Sequence, residues 1–198
     1  MRVFVLTLIS LLLIIASPVT AQDFDKGVAA YNAGDFVMAL KEFKPLAEDG
    51  DSAAQYNLGV MYTNGQGVPQ DYKEAVKWYT LAAEQGTAEA QTNLGNIYFD
   101  GRGVPQDYKE AAKWYTLAAE QGIAKAQSNL GFMYDNGHGV LQDNVIAHMW
   151  YNIGAANGSE NGGKNRDIIA KNMTSEDISK AQAMARQCMN SNYQNCGY

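Results

Sequence analysis

The chain is poor in the residues that most often carry chemistry. Its 198 residues include two histidines and two cysteines, Cys188 and Cys196, which both fall in the last eleven positions. A zinc site needs more ligands than this tail supplies. The motifs His-Glu-x-x-His, Ser-x-x-Lys and Gly-x-Ser-x-Gly are missing, and no glycine loop ends in Gly-Lys-Ser/Thr to hold a phosphate. The sequence therefore offers no catalytic residue, metal site or cofactor site.

Basic residues are also scarce. The chain has 15 Lys and Arg against 21 Asp and Glu. Arg2 lies in a segment that we expect to be removed, and residues 1–21 contain no acid, so the mature chain has a net charge of −7 (14 minus 21). Proteins that bind nucleic acid rely on basic patches that release counterions. We therefore expect no nucleic-acid partner.

The N-terminus has the pattern of a secretory signal peptide. Arg2 precedes an apolar run over residues 3–16, Pro18 breaks the helix, and small residues end at Ala21. About 14 apolar residues are too few to cross a bilayer comfortably, although an uncleaved anchor is the alternative. No cysteine follows the run and no later segment is as apolar. We predict cleavage after Ala21, a periplasmic or secreted protein, and no stable membrane insertion.

The two cysteines fit this compartment. In an oxidising environment an even number of cysteines favours a disulfide, here between Cys188 and Cys196. The alternative is a pair of free thiols, which requires that the chain is not exported.

A period of thirty-six residues organises most of the chain. The motif Ala-Gln-x-Asn-Leu-Gly occurs at residues 54–59, 90–95 and 126–131. Residues 67–86 differ from residues 103–122 at one position, and a weaker copy begins the mature chain, since Ala39 lies thirty-six residues before Ala75. Such self-similarity is typical of repeat proteins in which each unit packs on its neighbours.

Each period contains two helical patterns. Apolar residues follow Ala54 at i+4, i+7 and i+8, and a second face of this kind begins at Ala75. Asp71 and Glu74 have the spacing of a capping box at the start of the second helix. The segment Asn64 to Pro69 contains two glycines and a proline, which favours a turn between the helices. Strand signals are absent, so we predict an all-α fold.

These motifs resemble the Sel1-like repeat, a relative of the tetratricopeptide repeat, over residues 27–158. The pattern is Ala-x-Ala-Gln-x-Asn-Leu-Gly-x-x-Tyr, then Gly-x-Gly-Val-Pro-Gln-Asp-Tyr-Lys-Glu-Ala-x-Lys-Trp-Tyr and Ala-Ala-Glu-Gln-Gly. The first copy departs from it, because its turn is five residues shorter, as in an ordinary tetratricopeptide repeat. The resemblance implies a right-handed α–α solenoid of about four helix pairs within residues 22–158.

Residues 159–198 lie outside the repeat. We predict one helix over residues 165–173 and a second that starts at a capping box on Thr174 and ends near Met189, before the disulfide tail. The last repeat of a solenoid leaves an apolar side open, and this helix pair would cap it.

The resemblance also implies a binding groove. In the related tetratricopeptide proteins the first helices line a groove, and the Asn of this motif can bind a peptide's backbone or terminal carboxylate. The matching residues here are Asn57, Asn93 and Asn129. Their neighbours on the same surface would be Tyr56, Val60, Thr92, Asn96, Ser128 and Phe132. An amide suits this role because it offers a donor and an acceptor. Alternatively, each Asn bonds the backbone of the adjacent repeat and stiffens the stack.

Other conspicuous side chains are interpreted as structural. Trp78 and Trp114 have core spacing and are expected to pack inside the solenoid. His138 occupies the variable position of a Gly-x-Gly turn, and His148 replaces the valine or alanine of the sister copies. We expect both histidines at loop or surface positions.

The resemblance implies a non-enzymatic scaffold that holds a protein or peptide of unidentified kind. One alternative is an enzyme resembling the cysteine-rich Sel1-like β-lactamases and penicillin-binding proteins. Those proteins carry a cysteine pair in each repeat, and this chain has none there. The other alternative is a structural subunit of an envelope assembly, which would use the same surfaces for permanent association.

Cleavage after Ala21 predicts that the purified exported protein begins at Gln22. Intact mass and N-terminal sequencing measure this directly. A membrane-bound species that retains Met1 would contradict the prediction and favour the anchor.

Overall fold

The protein is described here by a computed structural model that covers residues 23–194 and 196. The predicted signal peptide, residues 1–21, lies outside these described residues. All regular structure within them is helical, as predicted. The α-helices are α1 (Phe24–Asn32), α2 (Phe36–Glu48), α3 (Ser52–Asn64), α4 (Tyr72–Glu84), α5 (Ala88–Asp100), α6 (Tyr108–Ala119), α7 (Ala124–Asn136), α8 (Asn144–Ala156), α9 (Glu160–Ile169) and α10 (Ser175–Asn190), with a 3-10 turn at Ala170–Asn172.

The helices form antiparallel pairs that stack in chain order, which confirms the α–α solenoid. From α1 to α8 the odd-numbered first helix of each pair packs against the even-numbered second helix, and each second helix packs against the next first helix; both α9 and α10 then pack on α8. The turn of the first pair spans only residues 33–35, whereas α3 and α4 are joined by residues 65–71. This difference confirms that the first copy has a shorter turn. None of the helices in the described part of the chain is long and apolar enough to cross a bilayer.

Aspartates cap the second helices, but the predicted capping box is only half formed. The Asp71 carboxylate accepts hydrogen bonds from the backbone N–H groups of Lys73 (2.8 Å) and Glu74 (3.2 Å). The reciprocal bond is absent because the Asp71 N–H already donates to the Tyr62 carbonyl (3.0 Å). Glu74 instead forms an exposed ion pair with Lys77 (3.4 Å). The Asp71 N–H, which a complete capping box would use, is therefore already engaged in a hydrogen bond of the turn.

Glycines allow the backbone of each Gly-x-Gly turn to pack directly against the preceding repeat. Gly65 ends α3 in the left-handed conformation, with φ of 69°. Gly67 also has a positive φ, 71°, and a Cβ there would lie 2.6 Å from the backbone oxygen of Phe36. Gly103 and Gly139 make equally close approaches to the backbone of α4 and α6. No other residue fits these positions without moving the backbone.

The core is built largely from alanine. Ala54, Ala75, Ala90 and Ala111 are fully buried, and small side chains at these contacts let the helices lie close together. Trp78 and Trp114 are buried as well, which confirms that they serve packing. Three clusters of buried residues follow one another along the repeats and continue into α10.

A ladder of buried glutamines ties the repeats together. Gln91 on α5 donates from Nε2 to the carbonyl of Ala83 at the end of α4 (3.1 Å) and accepts at Oε1 from Gln121, just beyond α6 (2.8 Å). Each such amide therefore joins three helices from two repeats. Gln55 and Gln127 repeat the arrangement one period away on either side. We define the glutamine ladder as these three side chains, Gln55, Gln91 and Gln127.

The C-terminal helices cover the end of the solenoid, but the predicted bounds of the first one were wrong. Helix α9 runs from Glu160 to Ile169 rather than over residues 165–173, and Ser159 caps it by accepting from the Gly162 N–H (3.1 Å). A Cβ on Gly162 would lie 2.6 Å from Ser128 Oγ, so this glycine serves tertiary contact. The sequence offered no apolar period there because the start of α9 is fixed by packing. Helix α10 matches its prediction.

The C-terminal tail is connected to the last residue of the glutamine ladder, Gln127. A disulfide joins Cys188 to Cys196. Between them, the Tyr193 hydroxyl pairs with the Asn157 amide (2.8 Å), and that amide also donates to Gln127 Oε1 (2.8 Å). The disulfide-bonded loop thus holds a side chain at the end of the glutamine ladder.

Replacing Gln91 by Leu should destabilise the fold by about 1–3 kcal/mol, because it removes two hydrogen bonds that join neighbouring helices, one to the Ala83 carbonyl and one from the Gln121 amide. The matched control is Gln106→Leu. Exposed Gln106 makes the same kind of bond to a helix-end carbonyl, that of Phe99 (2.7 Å), and its loss should cost less than about 1 kcal/mol. Chemical denaturation measures both. Equal effects of the two substitutions would contradict a special role for the ladder.

Candidate peptide-binding groove

Three cavities open along the first helices α3, α5 and α7. The first cavity, of about 320 Å³, lies between α3 and α5 and is lined by Tyr56, Val60, Thr63, Asn64, Tyr72, Tyr79, Asn93, Asn96, Ile97, Asp100 and Arg102. The second cavity, of about 220 Å³, lies between α5 and α7 and is lined by Asn96, Phe99, Tyr115, Asn129, Phe132 and Met133. The third cavity, of about 160 Å³, is lined by Tyr56, Glu89, Thr92, Asn93, Ile123 and Lys125. We call the surface that they share the groove.

Seven of the nine side chains expected on this surface line these cavities. Those of the first cavity are Tyr56, Val60, Asn93 and Asn96. Those added by the second and third cavities are Asn129, Phe132 and Thr92, although Thr92 is only 4% exposed and its hydroxyl donates to the Ala88 carbonyl (2.9 Å). The family resemblance therefore pointed to side chains that the fold does bring together.

Asn57 and Ser128 line none of the three cavities. The Asn57 amide donates to the Ala53 carbonyl of its own helix (2.9 Å). Ser128 is only 6% exposed, and its hydroxyl donates to Ser159 Oγ (2.8 Å). Helix α9 covers Ser128, and the sequence had placed the start of α9 five residues too late. Ser128 is therefore not on the open surface.

Within residues 23–194 and 196, no hydrogen bond joins Asn57, Asn93 or Asn129 to the backbone of an adjacent repeat, which was the alternative role. Asn129 Nδ2 donates to the side-chain oxygen of Asn96 in the preceding repeat (3.3 Å). Asn93 lies within hydrogen-bonding reach of the Tyr56 and Tyr79 hydroxyls. The backbone ties between repeats come from the glutamine ladder instead. Sequence reasoning missed those glutamines, although they occur at one position of the repeat, each directly after a buried alanine.

Two tyrosines from the second helices reach the floor of the groove. The Tyr115 hydroxyl donates to Asn96 Oδ1 (2.9 Å), and the Tyr79 hydroxyl accepts from Thr63 (3.3 Å). Burial raises the pKa of Tyr79 to about 12, and burial together with Asp100 raises that of Tyr115 further. Both phenols therefore keep their protons at neutral pH. The sequence had indicated only that tyrosines at this position pack in the core.

Glycines on the first helices admit these tyrosine rings. A Cβ on Gly59 or on Gly95 would lie 2.5 Å from the ring of Tyr79 or Tyr115, respectively. The Gly of the Asn-Leu-Gly motif thus lets the second helix approach until its tyrosine reaches the groove. The spacing of twenty residues between glycine and tyrosine, repeated in three copies, is the sequence signal for this contact.

The groove carries few charges. Helix α3 has none, and α5 has only Glu89 and Asp100. At the mouth of the first cavity, the Arg102 guanidinium pairs with Asp100 (2.8 Å) and lies over the ring of Tyr72 (5.9 Å). The surface is therefore nearly neutral, and its polar atoms belong mainly to amides and hydroxyls.

The two histidines have different surroundings. His138 lies in its turn, as predicted, and stacks on Tyr108 with ring centroids 4.5 Å apart. The surface position predicted for His148 is wrong, because α9 covers this part of α8 and leaves His148 2% exposed. Burial lowers its pKa, with a smaller contribution from Arg166, so the ring is neutral at physiological pH. Among the described residues, no group of three or more His, Cys, Asp or Glu is placed to hold a metal ion.

Replacing Gly95 by Ala should destabilise the protein by about 1–3 kcal/mol, because the new methyl group displaces the Tyr115 ring. Gly163→Ala is the matched control. It also lies within a helix, but its Cβ would meet only Ala155 at 3.8 Å, so the substitution should stabilise by up to about 1 kcal/mol. Thermal unfolding of the two variants should therefore shift in opposite directions. A shift in the same direction would contradict the close glycine–tyrosine contact.

Comparison with known proteins agrees with this architecture. The Sel1 repeat profile matches residues 52–87, 88–123 and 124–159. No curated protein sequence matches the chain. The crystal structure of a Sel1 repeat protein from Oxalobacter formigenes superposes with a TM-score of 0.70 at 27% identity, covering 86% of this chain and 78% of that one.

A second similar structure is c5321, a protective antigen present in uropathogenic Escherichia coli strains that displays an SLR fold. It superposes with a TM-score of 0.53 at 29% identity over 86% of this chain, which spans 47% of the antigen. The profile match covers more than half of the chain, namely three of the four helix pairs before α9, and both solved structures share the stacked helix pairs. The chain belongs to the Sel1 repeat family.

Proposed function

We propose that the chain is a periplasmic or secreted scaffold that holds a peptide segment of a partner protein in the groove. Sel1 repeat folds are typically protein-interaction scaffolds and are generally non-enzymatic. The observation that carries the proposal is the row of cavities on consecutive first helices, with Asn96 shared by the first and the second. A continuous row of small cavities suits a long, narrow ligand such as an extended peptide.

Two features support the proposed compartment: the disulfide of the C-terminal tail and the signal-peptide pattern at the N-terminus. The Cys188–Cys196 disulfide fits an oxidising environment, and residues 1–21 have the pattern of a cleaved signal peptide. The relative c5321 is described as a protective antigen, which is compatible with a location outside the cytoplasm. The acidic balance of the chain continues to argue against a nucleic-acid partner.

The enzyme alternative finds little support in the groove. Acyl transfer by a serine or cysteine needs a base within hydrogen-bonding distance of the nucleophile. The single hydroxyl proton of Thr63, in the first cavity, is shared between the Gly59 carbonyl (2.8 Å) and the neutral Tyr79 hydroxyl (3.3 Å), neither of which is such a base. The structural-subunit alternative uses the same surface and differs in the lifetime of the complex, which a dissociation rate measures.

The proposal predicts that the double substitution Asn93→Ala and Asn129→Ala weakens partner binding by tenfold or more, since each lost hydrogen bond costs about 0.5–1.5 kcal/mol. Asn57→Ala is the matched control, because it removes the equivalent amide from a position that lines none of the cavities. Partner recovered from an envelope extract on the wild-type chain is identified, purified and titrated against all three proteins.

Melting temperatures separate binding from folding in this experiment. The double variant should melt close to the wild type, and the control should bind within about twofold of it. Equal binding by the double variant and the wild type would move the contact surface away from the groove. A large fall in melting temperature with normal binding at low temperature would assign these amides to the stack alone.

A further inference from the structure

The first and second cavities are the same site in successive repeats. Six pairs of their lining residues are separated by one period of thirty-six: Val60 and Asn96, Thr63 and Phe99, Tyr79 and Tyr115, Asn93 and Asn129, Asn96 and Phe132, and Ile97 and Met133. Each cavity is thus lined by a tyrosine of the second helix, by the asparagine of the repeated Asn-Leu-Gly motif and by an apolar side chain, Ile97 or Met133. Any difference between them arises from the few positions where the repeats differ.

Those differences change the chemistry of the wall. The first cavity has Thr63 and Asn96 where the second has Phe99 and Phe132. The two phenylalanine rings meet edge to face with centroids 5.9 Å apart. Phe99 also contacts Tyr108 (5.2 Å), on which His138 stacks, and His138 occupies the position that Arg102 holds beside the first cavity. One cavity is therefore polar and the next is bounded by an aromatic cluster.

Asn96 lies between the two cavities, and its side-chain N–H groups are available for hydrogen bonds. Its Oδ1 accepts from the Tyr115 hydroxyl (2.9 Å) and from Asn129 Nδ2 (3.3 Å). These bonds fix the orientation of the amide, so its Nδ2 points away from them. Within residues 23–194 and 196, no hydrogen bond involves that Nδ2 group. It can donate to a carbonyl oxygen of a ligand that crosses from one cavity to the other.

The charge of the first and second cavities restricts the ligand that crosses them, whereas the charged side chains Glu89 and Lys125 line the third cavity. Arg102 is the cation of the first cavity and its charge is opposed by Asp100 at 2.8 Å. The second cavity is lined by no charged residue. A charged ligand side chain would lose its hydration in either place without gaining an unpaired opposite charge. An uncharged segment avoids this cost.

We propose, on the basis of the proposed function, that the groove selects an uncharged, extended peptide segment through two unlike side-chain subsites. A large apolar side chain, aromatic or aliphatic, occupies the second cavity against Phe99 and Phe132. A side chain with an amide or hydroxyl group occupies the first cavity, where Thr63 and Asn93 face it. Asn96 Nδ2 bonds the ligand backbone between them.

The distance between repeats sets the spacing of those ligand residues. Packed helices lie about 8–10 Å apart, so equivalent cavities on neighbouring first helices are separated by roughly 10 Å. An extended polyproline-II segment advances about 3.1 Å per residue and returns to the same face every third residue. The two recognised side chains therefore stand three positions apart.

The test selects peptides from a phage-displayed random nonapeptide library on the chain comprising residues 22–198. Three proteins are compared: the wild type, the double variant Phe99→Thr with Phe132→Asn, and the control Leu117→Asn. The double variant gives the second cavity the side chains of the first at these two positions, while Val60 and Asn96, and Ile97 and Met133, still differ. Leu117 is 38% exposed, as is Phe132, but it lies on the second helix α6. Circular dichroism checks that all three remain folded.

The wild type and the control should select uncharged peptides with a large apolar residue three positions from an amide or hydroxyl residue. The double variant should lose the apolar preference and bind the wild-type consensus peptide at least about tenfold more weakly. Replacing the apolar residue of that peptide by alanine should weaken its binding to the wild type but not to the double variant.

The outcomes separate the two proposals. Peptides enriched without the apolar position, or bound equally by the double variant, would overturn the two-subsite inference while leaving a peptide-binding groove. Failure to enrich any peptide on the folded wild type would overturn the proposed function and this inference with it. Self-association of the wild type that the double substitution abolishes would assign the groove to a second copy of the chain and overturn the peptide assignment.

Discussion

The hydrogen bonds of the glutamine ladder set how one helix pair lies on the next. A buried amide is stable only when its donor and acceptor are both satisfied, and Gln91 meets this demand with one partner from each of two neighbouring helices. Because Gln55 and Gln127 make equivalent bonds, each helix pair is held on the next in the same way. The regular spacing of the cavities follows from it.

The groove depends on this stacking through the glycine–tyrosine contacts. Gly95 admits the Tyr115 ring, and the Tyr115 hydroxyl orients the Asn96 amide between two cavities. A residue of the second helix thereby shapes a surface formed by first helices. At the C-terminus, Asn157 and Tyr193 complete the last rung, and the Cys188–Cys196 disulfide restrains the segment that carries Tyr193. Core, groove and tail thus form one connected network.

Much of the fold could be predicted from the sequence because its determinants are local and repeated. The thirty-six-residue period, the paired helices, the aspartate caps and the left-handed glycines such as Gly65 all depend on residues within one repeat. All nine candidate groove residues came from the family motif, and seven of them line the cavities. Helix α9 did not, because its start depends on the contact of Gly162 with Ser128 in another helix.

The remaining errors have the same origin. The family motif placed Ser128 in the groove, and His148 was expected at the surface because its sister positions vary, yet α9 buries both. The glutamine ladder was missed because hydrogen bonds between residues thirty positions apart leave no local period in the sequence. In the sequence, the unequal cavities are marked by the differences between Thr63 and Phe99 and between Asn96 and Phe132, which can be interpreted only once the groove is known.

In the proposed function, the first helices form the binding surface and the second helices support it. Differences among the repeats then affect ligand binding where the side chains line the groove, as at Asn96 and Phe132, and do not affect it on the outer face. The near-absence of charge on α3 and α5, beside the charged second helices, agrees with a ligand that is held by shape, amides and aromatic contact.

The most direct measurement is site-specific photocrosslinking in cells that produce the chain. A photoreactive side chain is placed either at Val60, in the first cavity, or at Leu81, 38% exposed on the second helix of the same repeat. The account predicts that Val60 captures a partner polypeptide and Leu81 does not. Capture from Leu81 alone would contradict it and place the interaction on the outer face of the solenoid.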